Sequence, residues 1–557
     1  MISNFINLNF FLLILGQVAF ALNDNNEPSS YADAVSANRN INILVWGGGY
    51  SPLGNQISLE SNVRYFHRIK NKIGLEKFAT RTLFADGVNK ARDIQFRDPN
   101  FVVSEANLII AEIFGSTRGL YNQYRDNLLN AYGSSSENEL DKWLKDLNST
   151  PQNSLNIIYF TGHGGKGDKK TPHNTSTHLW NNQKVKVSEL TDKLDSLPKT
   201  QSVILIMVQC YSGGFANFIF NHGNPKKELH PQTRAGFFAT THDRVAAGCT
   251  PDIREANYQE YSTKFWEALC GESRIGQKIQ KPDYNGDQLT SLSEAHAYVV
   301  INSNTIDIPV KTSDIFLRKF STFELSKDSN VSLNKSELAR IDDKTDSAHL
   351  INSLDFSKPQ VSEKDWLFCT SPISKILSHA SKNSKTIIVS LSKRLGLIGD
   401  DRFDEADKKI NEYKKKRDEL SKTKKQKEDE CKQLKNKIKE RLRTEWPELA
   451  NTQHPKVDEI KKSATSLKLI STSNQDSQWD NFKKLKKQIA AIENGRFTLE
   501  KNQVLAVRLK YEIENVVLKN ALPYVADRFT CQKLRDIESL ENSSFEQLKN
   551  QDLEISD

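Results

Sequence analysis

Two residue types suited to acyl transfer stand at the ends of two short apolar runs. Asn156-Ile157-Ile158-Tyr159-Phe160 leads into Thr161-Gly162-His163-Gly164-Gly165. Val203-Ile204-Leu205-Ile206-Met207-Val208 leads into Gln209-Cys210-Tyr211-Ser212-Gly213-Gly214, the thiol lying 47 positions after the imidazole. A thiolate is the nucleophile in such chemistry. A neighbouring imidazole takes the thiol proton and later returns a proton to the leaving amine. Backbone N–H groups of a glycine-rich loop, near Gly164 and Cys210, are candidates for stabilising the oxyanion. A serine hydrolase reading fails on spacing: a nucleophile elbow requires G-x-S-x-G, and the residue two before Ser212 is Cys210.

Positioning such a pair requires rigid elements. Runs of this length, rich in β-branched residues and bounded by glycine, read as buried parallel strands. Ligands of open α/β sheets bind beyond the carboxyl ends of the strands, which places both residues on the functional rim. Ile41–Trp46 is a first strand, ending in Gly47-Gly48-Gly49, and an amphipathic helix is expected over 59–73 with Val63, Phe66 and Ile69 on one side. Residues 108–114 fit either a short helix or a strand. Residues 236–241 form a further strand. The alternation over 41–310 predicts an α/β domain with a mostly parallel sheet flanked by helices.

Residues 311–400 have mixed composition and read as a linker region. From 401 to 557 the pattern is helical and highly charged, a coiled-coil-like or bundled region. Apolar stripes run through Cys431, Leu434, Ile438 and Leu442 and through Leu505, Leu509, Ile513 and Val516. Trp446-Pro447 should break the first long helix. Residues 1–21 resemble a signal peptide, with an apolar stretch from Phe10 to Leu15 and an Ala19-Phe20-Ala21 cleavage pattern. Residues 22–40 are polar and expected to be disordered. The protein is therefore expected to be exported (secreted or periplasmic), with no integral membrane segment after cleavage, since a spanning helix needs roughly 20 apolar residues.

The 557 residues carry a formal charge of +8, spread over many positions, with 37% hydrophobic and 27% charged residues. Segment 408–443 has 16 Lys or Arg against 7 Asp or Glu. Its charges interleave as on a solvated helix face, without the aromatic interleaving that base stacking needs, so no nucleic-acid partner is expected. The six cysteines are widely scattered and include no CxxC pair, which fits neither a stapled mini-domain nor a zinc site. His173, His178, His222 and His230 match no zinc spacing and are expected on loop surface.

On the strength of Thr161-Gly162-His163-Gly164, Cys210-Tyr211-Ser212-Gly213-Gly214 and the 239–249 segment, residues 41–300 resemble the clan CD cysteine peptidases. The nearest resemblance is to legumain-type (C13) and bacterial caspase-like members. It implies a caspase-like fold and a His163–Cys210 dyad. An Asn after the first strand can orient the histidine in that family, which makes Asn55 a candidate third member; a turn or helix-cap role for Asn55 is the alternative. The chain departs from the family pattern at Val208, where legumain-like enzymes carry an acidic residue and caspases Gln. Gln209, Asp243 and Arg244 are left as candidate specificity residues. Legumain-type proteins also carry a helical C-terminal prosegment covering the active site, which suggests that role for 401–557.

Asp283, Asn285, Asp287, Ser291 and Glu294 fall on positions 1, 3, 5, 9 and 12 of an EF-hand loop, with Gln288 at the sixth position in place of the usual Gly. They are candidate calcium ligands; an Asx-rich turn capping the following helix is the alternative. The expected activity is that of a cysteine endopeptidase acting on protein or peptide substrates, with no cofactor required by the chemistry. A catalytically inactive scaffold for protein interaction and a peptide ligase are the alternatives.

Overall fold

The computed structural model describes residues 40–321, 366–462 and 478–550. The signal-peptide and N-terminal expectations for 1–21 and 22–39 lie outside the described residues. Ten strands are described: β1 Ile41–Gly48, β2 Ala79–Phe84, β3 Ile94–Phe96, β4 Gln123–Arg125, β5 Leu155–Gly165, β6 Ser176–His178, β7 Lys184–Lys186, β8 Ser202–Met207, β9 Arg234–Phe238 and β10 Val310–Lys311. The main sheet runs β10-β9-β8-β5-β1-β2. Its neighbours are parallel from β2 through β9, and β10 is antiparallel. All residues of β1, β8 and β9 are buried, as expected where both faces of a parallel sheet are covered.

The first described strand, β1, lies inside this sheet, next to its β2 edge. β2 lies on one side of β1 and β5 on the other, so the strand order reverses between β1 and β5. In open α/β sheets that reversal opens a crevice beyond the carboxyl ends. β5 continues past its partners into His163–Gly165, where it pairs with β6 (His163 opposite His178), and β6 pairs with β7.

The helices around the sheet are α1 Ile57–Ile69, α2 Glu105–Phe114, α3 Glu137–Leu147, α4 Val187–Asp195, α5 Tyr261–Cys270, α6 Leu292–Asn302 and α7 Thr312–Phe320. The ambiguous 108–114 stretch is thus part of a helix, α2. Ser104 caps it, its side chain accepting from Asn107 N–H at 3.3 Å. The C-terminal region comprises α8 Ile373–His379, α9 Lys382–Leu395, α10 Arg402–Glu445, α11 Lys456–Lys462, α12 Gln478–Val525, α13 Arg528–Glu541 and α14 Phe545–Asn550. α10 stops at Trp446-Pro447 as expected. A mostly parallel sheet flanked by helices, followed by a long helical region, is the architecture the sequence predicts.

The linker expectation for 311–400 is corrected on both sides of the undescribed 322–365. β10 pairs with β9 and α7 packs beside it, Phe316 and Leu317 entering the main core. α9 buries Ile387, Ile388, Leu391 and Leu395 on one face. Its Ser, Lys and Asn residues lie mostly on the other faces, and this mixed composition hid the helix.

The C-terminal helices are continuous with the sheet domain's interior. Leu518, Leu522, Leu534, Ile537, Leu540 and Phe545 belong to the same apolar cluster as the strands. The expected stripe of Leu505, Leu509, Ile513 and Val516 is buried in a second cluster with Ala297, Val300 and Ile301 of α6. Polar ties accompany this packing. Glu541, 1% exposed, accepts from Ser313 N–H at 2.8 Å, Ser313 Oγ at 2.7 Å and Lys311 Nζ at 2.9 Å.

Candidate active site

β5 and β8 are adjacent, with Phe160 opposite Met207, so their carboxyl ends deliver His163 and Cys210 to the same rim. The approach is close enough to need glycine. A Cβ on Gly164 would stand 2.0 Å from the Cys210 carbonyl oxygen and 2.6 Å from Gln209 Cγ. The chain then turns sharply: Tyr211 takes a left-handed conformation (φ 60°), and a 3-10 helix spans Ser212–Ile219. A left-handed non-glycine residue is uncommon. Here the Tyr211 N–H is held by the Arg244 carbonyl at 2.8 Å.

The loop after β1 sets the histidine. His163 Nε2 lies 2.7 Å from the Gly54 carbonyl and 3.0 Å from Gln56 Oε1. A carbonyl only accepts, so Nε2 carries the proton and Nδ1 is the basic nitrogen. The Tyr50 ring meets the imidazole edge-on at 5.2 Å. Burial lowers the His163 pKa from its ordinary value, and the Gly54 bond opposes this.

Asn55 does not bond to His163. It is fully buried between the two residues that do. Its Oδ1 accepts from Gly49 N–H at 2.9 Å, and its Nδ2 donates to Asp93 Oδ2 at 2.8 Å. Asn55 therefore shapes the loop that presents Gly54 and Gln56. Burial first, and then the neighbouring Asp86 carboxylate, push the Asp93 carboxyl up to about 7.

Cys210 Sγ accepts from the Ala246 N–H at 3.3 Å. Burial raises the thiol pKa, the Ala246 contact opposes it, and the buried Asp307 carboxylate adds to the rise. Both shifts favour the neutral forms of the thiol and the imidazole. Cys249 is a further thiol at this rim, its S–H reaching the Gly162 carbonyl at 3.8 Å, and burial drives its pKa upward most strongly.

The candidate specificity residues separate. Gln209 is buried beside the thiol with neither amide atom partnered. Asp243 turns back to Thr241 Oγ1 at 2.6 Å. Arg244 reaches the Ile306 carbonyl at 3.4 Å and Glu500 of α12 at 3.7 Å.

The EF-hand-like residues form a tight turn whose carboxylates are taken up by the backbone. Asp283 accepts from Gly286 and Gln288 N–H, and Asp287 from Leu289 N–H. Glu294 accepts from Tyr284, Asn285 and Ser291 N–H, forming a capping box with Ser291 on α6. Gln288 takes φ 69°, the left-handed turn for which glycine is usual. These bonds account for the turn as a helix cap. Among the described residues, Asp192, Asp195 and His222 bring one ligand atom each within 4.8 Å of one another. Asp195 there already pairs with Arg234 at 2.7 Å, and sequence spacing gave no sign of the cluster. No described helix is long and apolar enough to cross a membrane.

Sequence reasoning missed Gln56, which meets the imidazole, and Asp307, which holds the Ala247 N–H beside the thiol. No family model matches the chain, and no curated protein matches it. Among solved structures it is similar to a structural-genomics target protein from Geobacter sulfurreducens, at 12% identity and a TM-score of 0.26, over 46% of this chain and 88% of that one.

Proposed function

We propose that this protein is a cysteine endopeptidase of the caspase-like kind, using Cys210 as nucleophile and His163 as acid–base. The observation carrying this reading is the meeting of the two strand ends. The end of β5 that carries His163, its Nε2 bonded to a carbonyl, approaches the Cys210 backbone so closely that only glycine fits at position 164.

Burial favours the neutral thiol and the neutral imidazole, so proton transfer accompanies attack. The thiol proton passes to His163 Nδ1 as Sγ bonds to the scissile carbonyl carbon, and the carbonyl π electrons move onto oxygen. Backbone N–H groups of Gly164 and Cys210 are the donors proposed for that oxyanion. Collapse of the tetrahedral species breaks the C–N bond, the amine leaving with the proton from the imidazolium. Water then attacks the thioester, assisted by the same imidazole, releasing the acid and restoring the thiol. An amine in place of water would give ligation. None of these steps calls for a metal.

The test is cleavage of a diverse peptide library by the full-length protein. The reading expects peptide-bond hydrolysis that disappears in Cys210→Ala and His163→Ala. Cleavage unchanged in Cys210→Ala would refute it. An inactive scaffold is the second reading, favoured by the burial that disfavours the thiolate. Absence of cleavage together with an unreactive thiol would support it.

A further inference from the structure

Arg508 lies within α12, 298 positions after Cys210 in sequence, yet one hydrogen-bonded route joins them. The residue is 2% exposed. Its Nε donates to the Asp307 carbonyl at 2.7 Å, its Nη1 to Val300 and Ser303 carbonyls at 3.1 and 2.9 Å, and its Nη2 to the Thr305 carbonyl and Oγ1 at 3.2 and 3.3 Å. The guanidinium thus covers carbonyls at the end of α6, which have no partner within the helix, and fixes the loop that follows. In that loop the Asp307 carboxylate accepts from Ala247 N–H at 2.6 Å and from Thr305 Oγ1 at 2.9 Å. The preceding residue, Ala246, gives its N–H to Cys210 Sγ.

We propose that Arg508 is a positioning residue for Cys210. From α12 it sets the 303–307 loop, whose Asp307 anchors the Ala246–Ala247 backbone that holds the thiol. This rests on the reading of Cys210 as a nucleophile. It also recasts the C-terminal region. A covering prosegment would be removed to expose a finished site, whereas α12 completes the site. Its apolar stripe is buried in one cluster with α6 and α9. Arg244 makes a second tie beside the thiol, its carbonyl on Tyr211 N–H and its guanidinium toward Ile306 and Glu500. Lysine cannot take the place of Arg508, because a single ammonium does not span carbonyls of four residues.

The test uses the full-length protein and iodoacetamide, with alkylation of Cys210 followed against pH by peptide mass spectrometry and folding checked by thermal melting. The charges facing Asp307 and Arg508 are Glu260, Arg244 and Arg394; those facing Cys210 are Asp307 and Cys249, and His163 titrates on the neighbouring strand end. Arg508→Lys keeps the charge and loses the fork. The expected result is a Cys210 alkylation midpoint raised by about one pH unit, a tenfold loss of thiolate at fixed pH. A folded Arg508→Lys protein with an unmoved midpoint overturns the proposal. Should that variant not fold, the Asp307 pair decides. Asp307→Asn removes the negative charge, keeps the acceptor for Ala247 N–H, and should lower the midpoint. Asp307→Leu loses the acceptor as well and should stay above Asp307→Asn; an equal fall in both overturns the proposal. A wild-type Cys210 alkylated no faster than buried Cys369 refutes the nucleophile reading itself, and is distinguishable from either result.

Discussion

Gly164→Ala is the smallest change that should separate the two proposed catalytic residues. The added methyl carbon would stand 2.0 Å from the Cys210 carbonyl oxygen and 2.6 Å from Gln209 Cγ, whereas real Cβ atoms essentially never approach other heavy atoms within 3.0 Å. The end of β5 must therefore retreat by about 1 Å from the end of β8. His163 precedes the substituted residue and moves with it. A misplacement of about 1 Å can cost about 100-fold in rate, equivalent to about 2.7 kcal/mol of transition-state stabilisation. The assay is the second-order rate of inactivation by a peptidyl acyloxymethyl ketone, with thermal melting as the control for folding. A folded variant inactivated within about threefold of the wild-type rate would refute the reasoning that this contact sets the pair.

Asn55→Ala should slow the same inactivation more than Gln56→Ala. Loss of Gln56 leaves the Gly54 carbonyl on His163 and should cost no more than about tenfold, whereas loss of Asn55 frees the whole loop; the reverse order would restore Gln56 as the dominant partner. Glu541→Ala should destabilise the fold by about 3 kcal/mol, because it removes the buried acceptor of the Ser313 N–H and hydroxyl and leaves Lys311 only its longer pair with Asp314, measured by urea unfolding, and a loss under about 1 kcal/mol would contradict the account of that network. Asp93 has its carboxyl pushed up to about 7 against about 3.9 in the unfolded chain. Its favourable contribution is thus complete below about pH 4 and is lost as pH rises to 7. Asp93→Asn, which keeps the acceptor for Asn55, should flatten the decline of melting temperature over that window; identical slopes would contradict the assignment.

The strands around His163 and Cys210 were legible because continuous apolar runs ending in glycine are a local signal. The stripes of α12 and the break at Trp446-Pro447 were legible for the same reason. Asn55 and Gln56 differ by one position in a loop, where no periodicity fixes which side chain faces inward, and the structure turns Gln56 toward the imidazole. α9 was obscured by Ser, Lys and Asn on its outer faces, although Ile387, Ile388 and Leu391 mark the inner one. Arg508 had no sequence signature at all. Among the many cations of the C-terminal region, only tertiary packing reveals that it is buried against the loop behind the thiol.

The central claim is that Cys210 is a nucleophile made reactive by His163, and mapping of covalent adducts tests it most directly. The full-length native protein would be treated with a limiting peptidyl acyloxymethyl ketone and digested, and each cysteine-containing peptide quantified. The account predicts a dominant adduct at Cys210, lost on unfolding and formed about 100-fold more slowly in His163→Ala. Labelling of Cys210 at the same rate with and without His163, or a dominant adduct on another cysteine, would contradict it.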